Sequence, residues 1–253
     1  MDVDDRRTPD AELGRQVATG RDATLHDAGP GRLLRRMAGN RDLTTEAAVM
    51  AHVRAAGYAV PEVFRVGPGE MVIERVEGPT MLDDLAARPW RVDRHAATLA
   101  ALHRSLHAID PPPGLRPHPV GGDAVLHLDL HPGNVICAPD GPVVIDWTNA
   151  CRGDPAADVA LTWLLMAAAE IDDVPAAGPA LVRLRARAER MVTPLLRRRL
   201  VATFLRHAGR DEARRVLAAT ADHRLIDPNL RPAEAAAIRE LVAREVSPAG
   251  GGR

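Results

Sequence analysis

The chain of 253 residues contains no lysine, so all 33 of its basic side chains are arginine. Any chemistry that calls for a side-chain cation other than histidine must therefore use a planar guanidinium fork rather than an ammonium point charge. Aromatic residues are scarce at 2%, which argues against a cage of rings around a quaternary ammonium ligand. Two cysteines, Cys137 and Cys151, do not make a disulfide framework and fit a reducing compartment. An excess of one charge is missing too. With 33 basic against 34 acidic residues the net charge is −1, without a block of like charges. A basic face for nucleic acid is not expected. The longest apolar run, from Val159 to Ala169, is interrupted by Thr162 and too short to cross a bilayer. The first residues, Met1 to Asp5, are acidic and polar, with no leader signature. The expectation is a cytoplasmic protein with no nucleic-acid or membrane partner and no obligate protein partner.

What is present is an ordinary globular composition, 46% hydrophobic and 26% charged. Residues 1 to 11 are polar and expected to fray. Beyond them, stretches around 16–18, 23–26 and 32–35 read as short strands separated by glycines. Thr44 or Thr45 is placed to cap a helix carrying Ala47, Met50 and Val53, which ends at Gly57. Two more strands, 63–66 and 71–76, flank Gly67-Pro68-Gly69. After Gly78-Pro79 a helix starts at Asp93 with Leu99, Leu102 and Leu106 on one side. Strands follow at 125–130 and 143–145, with a turn at Asp140-Gly141. From Asp154 onward the pattern is helical, with breaks expected near Pro175, Pro194, Gly209 and Pro228. The fold class is α+β, with a small sheet lobe at 12–78 carrying one helix and a larger, mainly helical lobe at 79–246.

The segment His127-Leu128-Asp129-Leu130-His131-Pro132-Gly133-Asn134 carries the chemistry. It fits H-x-D-L-x-x-x-N, the spacing of a kinase catalytic loop without its arginine. Twelve residues after Asn134, Asp146 follows the apolar strand Val143-Val144-Ile145. Phosphoryl transfer explains the combination. A carboxylate must orient an attacking hydroxyl and accept its proton, the part suited to Asp129. A metal bridging phosphates needs hard oxygen ligands, which Asn134 and Asp146 supply.

With HLDLHPGN followed by VVIDW, the chain resembles the aminoglycoside phosphotransferase and choline kinase-like enzymes. That resemblance extends over nearly the whole chain. It implies a two-lobed, protein-kinase-like fold and an ATP- and Mg²⁺-dependent transfer of phosphate to the hydroxyl of a small molecule. It also implies a phosphate anchor on the N-terminal sheet, paired with a helix glutamate. Glu46 fits the glutamate, and the anchor must be Arg35 or Arg36, of which Arg35 is preferred. Arg36, on the opposite face of the strand, is expected to behave as a surface residue. The segment Gly20 to Thr24 would cover the phosphates, and Glu74 to Gly78, including Glu74 and Val76, would meet the adenine. Asp154 and Asp158 resemble the segment that follows the metal aspartate, with Asp158 bracing the catalytic loop.

Blander readings stand beside these. His127 suits a scaffold role, His103 and His107 suit packing, and the cysteines suit small buried residues. His127, Asp129 and His131 also spell H-x-D-x-H, a metal-hydrolase pattern, but it leaves the strand ending at Asp146 without a use. The acceptor is open between an aminoglycoside, a sugar and an amino alcohol. Candidate acids for a cationic one are Glu170, Asp172, Asp173, Asp222 and Asp227, among Arg183, Arg185, Arg187 and Arg197–Arg199. A nucleotide-binding pseudokinase is the alternative, because the lysine and a full glycine-rich loop are missing.

Overall fold

The computed structural model describes residues 2–3, 8–9, 12–19, 23–168, 180–227 and 230–246, with backbone alone at 2–3 and 180–193. Its N-terminal part is a six-stranded sheet. The strands are β1 (Asp2–Val3), β2 (Gln16–Thr19), β3 (Ala23–Asp27), β4 (Arg32–Met37), β5 (Val63–Gly67) and β6 (Glu70–Glu74), in the order β1-β5-β6-β4-β3-β2. All neighbours are antiparallel except β1 and β5. The expected fraying of residues 1 to 11 is therefore corrected at two places. Asp2 and Val3 pair with Arg65 and Val66, and Thr8 donates from its backbone to Glu70 at 2.9 Å.

Helix α1 (Thr44–Ala55) buries Ala47, Val49, Met50 and Val53. Its start is not capped by Thr44 or Thr45. Leu43 holds the cap position, and the Asp42 carboxylate accepts from the Thr44 backbone at 2.8 Å and its hydroxyl at 2.7 Å. An aspartate two residues ahead thus does the work that the sequence pattern assigned to threonine.

The chain leaves the sheet through a close crossing. Gly78 has φ of 140°, and a Cβ there would lie 2.5 Å from the Cys137 carbonyl oxygen, so only glycine fits. Cys137 donates its N–H to Pro79 at 2.8 Å, and Thr80 bridges to Ile136. A short helix, α2 (Met81–Ala87), follows, too short to carry a periodic signal in the sequence. Thr80 caps it by accepting from the Asp83 N–H. Helix α3 (Val92–His107) buries Leu99, Leu102 and Leu106 as expected.

Two small sheets follow, one of β7 (Ala124–Leu126) with β10 (Cys151–Gly153), the other of β8 (Val135–Ala138) with β9 (Gly141–Val144). Strand β7 is shorter than the expected 125–130 because Leu128 adopts φ of 57°, which ends the extended run. Helices α4 (Pro155–Ala168), α5 (Ala180–Ala208), α6 (Arg210–Leu225) and α7 (Pro232–Val246) complete the C-terminal part. Gly209, at φ of 97°, separates α5 from α6 as expected. Pro194 does not break the chain; it lies inside α5, whose C-terminal half buries Leu200, Phe204 and Leu205 and offsets the lost hydrogen bond. The breaks expected at Pro175 and Pro228 lie outside the described residues.

Candidate active site

The geometry begins with Asp158, which is fully buried on the first turn of α4. Its Oδ1 accepts the Leu128 N–H at 2.8 Å and its Oδ2 the His127 N–H at 3.1 Å. Burial alone would raise this carboxyl, but His103 and His107 beside it hold it well below the usual range. An ionised acceptor thus grips two successive amides, and the chain can afford the left-handed turn at Leu128 that follows.

His127 adds the next constraint. Its Nδ1 accepts the Asp129 N–H at 3.2 Å, so the neutral ring carries its proton on Nε2, which donates to the Ile145 carbonyl at 3.1 Å. The ring packs edge-on against Trp147 with centroids 4.7 Å apart. Burial pushes its pKa down to about 4, so it remains neutral at ordinary pH. His127 therefore ties the loop that presents Asp129 to the strand end that presents Asp146. It faces away from any common ligand of Asp129 and His131, which removes the metal-hydrolase reading.

Asn134 stands in the turn before β8. Its Nδ2 donates to both the Asp129 carbonyl and the Asp129 Oδ2 at 2.9 Å. With the amide nitrogen so used, its Oδ1 is left as an acceptor. Asp129 is pushed up to about 7 by burial first and by the neighbouring Asp146 charge second. Asp146 has φ of 63° and a side chain 45% exposed, so its carboxylate opens to solvent. The Asp129 carboxyl, the open Asp146 carboxylate and an amide oxygen together make a hard-oxygen donor set. Such a set fits a divalent cation such as Mg²⁺.

From the sheet, Arg35 reaches the same place. Its guanidinium pairs with Glu46, donates to Thr148 Oγ1 at 2.8 Å and approaches Asp146 Oδ1 at 3.2 Å. Glu46 is buried on α1, and the Thr148 hydroxyl lies 3.2 Å from Glu46 and 2.9 Å from Asp146. Thr148 was missed by sequence reading. Its position two residues after Asp146 was the available signal.

Arg36 corrects an expectation. It is not a free surface residue: it is 8% exposed and pairs with Glu70 at 3.1 Å and with the Thr8 carbonyl. Glu70 is fully buried and also takes Arg65 at 3.2 Å and the Thr8 hydroxyl. Alternation along β4 sends the two arginines to opposite faces as expected, but the far face is covered by the segment around Thr8.

At the connection after β6, the Glu74 carboxylate accepts from the Glu62 backbone at 3.0 Å and faces Arg54. Its side chain is thus committed locally. Val76 makes no backbone hydrogen bond among the described residues, which leaves an N–H and a carbonyl for a planar ligand. Residues 20–22 of the segment expected over the phosphates lie outside the described residues, as do Glu170, Asp172 and Asp173. No side-chain account covers Arg183, Arg185 and Arg187. Asp227 pairs with Arg224 at 2.9 Å, and the Arg224 charge reaches Asp129. Cys151 is buried, its thiol pushed up to about 12 by that burial, and is no nucleophile at neutral pH. Among the described residues no helix is long and apolar enough to cross a membrane.

Comparison with known proteins matches this part of the chain to a family. The phosphotransferase enzyme family matches residues 115–192, the stretch that holds the loop of Asp129 and the strand end of Asp146. No curated relative matches the chain by sequence. Solved structures share the fold over nearly the full length. A thermostable mutant of aminoglycoside phosphotransferase APH(4)-Ia, in complex with AMP-PNP and hygromycin B, has a TM-score of 0.55 at 18% identity, covering 95% of each chain. A gentamicin complex of APH(2")-IIa gives 0.56 at 13% identity, covering 92% of this chain and 89% of that one. An ethanolamine kinase of Plasmodium vivax gives 0.54 at 12% identity, covering 90% and 81%. The fold is thus the α+β, protein-kinase-like one of these enzymes, and the family match supports a small-molecule phosphotransferase.

Proposed function

We propose that the protein is an ATP-dependent phosphotransferase that moves the γ-phosphate of ATP to a hydroxyl of a small molecule. The observation that carries this reading is the double hydrogen bond from Asn134 to Asp129. It fixes the carboxylate while leaving the amide oxygen and the open Asp146 to hold Mg²⁺. The metal would neutralise charge on the phosphates. Asp129 orients the acceptor hydroxyl and takes its proton, a task for which a pKa near 7 is well matched. Arg35, backed by Glu46 and Thr148, positions the phosphates, with Asp146 as its resting partner. Val76 offers its backbone to the base, and Glu74 holds the connection in place. The division of labour is between residues 12–78, which take the nucleotide, and residues 79–246, which supply the base, the metal ligands and the acceptor pocket.

The acceptor is an aminoglycoside-like compound, a sugar or an amino alcohol. Hygromycin B and gentamicin occupy two of the structurally similar enzymes, while the Arg224–Asp227 pair here tempers an acidic pocket. ADP release over a panel of hydroxylated metabolites and antibiotics, with MgATP, identifies the acceptor. Asp129→Asn should fold, bind MgATP and lose roughly 10²–10⁴ in turnover. Full turnover in that variant removes Asp129 from the mechanism. Nucleotide binding without turnover on any acceptor, by wild type and variant alike, favours the pseudokinase reading.

A further inference from the structure

Behind the catalytic loop, His103 and His107 lie one turn apart on α3 and face Asp158 of α4. One ligand-capable atom from each lies within 4.8 Å of the others. The hydrogen bonds around them define an unusual pairing. Thr162 spends its single hydroxyl proton on the Leu130 carbonyl at 2.8 Å, so it can only accept from His103 Nε2, 3.1 Å away. A neutral His103 therefore aims the bare lone pair of Nδ1 at Asp158 Oδ2, 3.5 Å distant. That Nδ1 is buried and has no hydrogen-bond partner among the described residues, on a residue only 1% exposed. Two electron-rich atoms facing each other in a dry interior require a proton or a metal cation between them, and either keeps Asp158 ionised.

We propose that His103, His107 and Asp158 form a structural site for a zinc-like divalent cation, separate from the Asp129–Asn134–Asp146 site. Zinc takes imidazole nitrogen and carboxylate oxygen at roughly 2.0–2.1 Å in a tetrahedron, which sets ligand-to-ligand edges of about 3.3 Å. The edges here bracket that value, with 3.5 Å from His103 Nδ1 and 3.0 Å from His107 Nε2 to the shared Oδ2. Histidines four apart on a helix present both rings to one side. Asp158 keeps its grip on the loop while ligating. Oδ1 retains the Leu128 amide, and a second lone pair on Oδ2 retains that of His127. His107 also lines a surface pocket with Asp154 and Glu212, which gives an ion a way in and a water a way to its fourth position. The cation would lock α3 to α4 and so stiffen the base of the loop that carries Asp129.

The test uses the full chain, stripped by chelator and dialysed in excess Mg²⁺ so that the catalytic site is not counted. Zn²⁺ alone should be taken up at one ion per chain, and Co²⁺ should give the strong visible absorption of a tetrahedral N/O site. Uptake should persist in Asp146→Ala and in His223→Gln, a histidine of α6 that packs on His118 and lies outside the cluster. It should weaken at least tenfold in His103→Gln and in His107→Gln, with circular dichroism confirming that each variant is folded. Because His107 is the more exposed of the two, its variant serves if His103→Gln does not fold. Two results overturn the site: no stoichiometric uptake by wild type, which leaves His103 as a proton-carrying partner of Asp158, or uptake that the histidine variants do not change.

Discussion

Arg35 and Arg36 are consecutive residues of one strand, with the same side chain and similar low exposure, yet their surroundings are of different kinds. Arg35 shares its charge among Glu46, Thr148 and Asp146, the last of which opens to solvent. Arg36 meets Glu70, a carboxylate with no exposed surface, and closes its pair with the Thr8 carbonyl. One arrangement leaves a cation with a partner that a ligand can replace. The other leaves nothing to exchange. Burial of the partner, more than burial of the arginine, separates a guanidinium whose partner opens to solvent from one locked inside the fold.

The sharpest break in this comparison is Arg36→Ala. It takes one of two guanidinium partners from the buried Glu70, leaving Arg65 and Thr8, and should cost up to roughly 3–5 kcal/mol in urea unfolding, while Arg36→Ala with Glu70→Gln should recover a large part. A loss within about 0.5 kcal/mol would return Arg36 to the surface class. The cleft side responds to pH instead. Asp129, held near 7 against a usual 3.8, keeps a proton that the unfolded chain releases. The stability it contributes is fully present below pH 3.8 and is lost as pH rises to about 7, on the order of 4 kcal/mol in all. Asp129→Asn should flatten that slope and so melt higher than wild type at pH 8; an unchanged profile rules out the raised pKa. The smallest effect is expected at Arg35. Arg35→Ala should raise the KM for MgATP at least about tenfold, near 1.4 kcal/mol. Its cost in unfolding should stay below that of Arg36→Ala, because Thr148 still contacts Glu46. Equal losses of stability in the two alanine variants would erase the distinction.

Much of this was legible in the sequence. The five longer strands and α1 carried short-period patterns bounded by glycine and proline, and Asp129, Asn134 and Asp146 stood at a spacing that one reaction explains. Alternation also sent Arg35 and Arg36 to opposite faces. What the sequence did not carry was what would cover each face. Glu70 is 34 residues from Arg36 and Thr8 is 28, so no local pattern reports their meeting. Helix α2 is seven residues long, too short for a period to emerge, and rests on the Thr80 cap. Pro194 was a sound local signal for a break, overridden by packing that only the tertiary structure supplies. His103 and His107 read as packing residues because their partner, Asp158, lies 51 residues beyond His107.

The crossing at Gly78 has a mechanical consequence. It seats the exit from the N-terminal sheet directly on the Cys137 carbonyl of β8, with Cys137 and Thr80 bonded across the junction. That same hairpin begins at Asn134 and ends just before Asp146, with the Ile145 amide bonded to the Asn134 carbonyl at 3.0 Å. The crossing and the frame for the candidate metal ligands thus share one hairpin. Were the sheet to rotate about it, Arg35 and Glu46 would swing like a jaw through an arc, while Asn134 and Asp146, mounted at the axle, would keep their separation. Opening for nucleotide exchange would then break the Arg35–Asp146 contact first and leave the ligand frame intact, so the jaw can gape without the grip on a cation being rebuilt at every cycle.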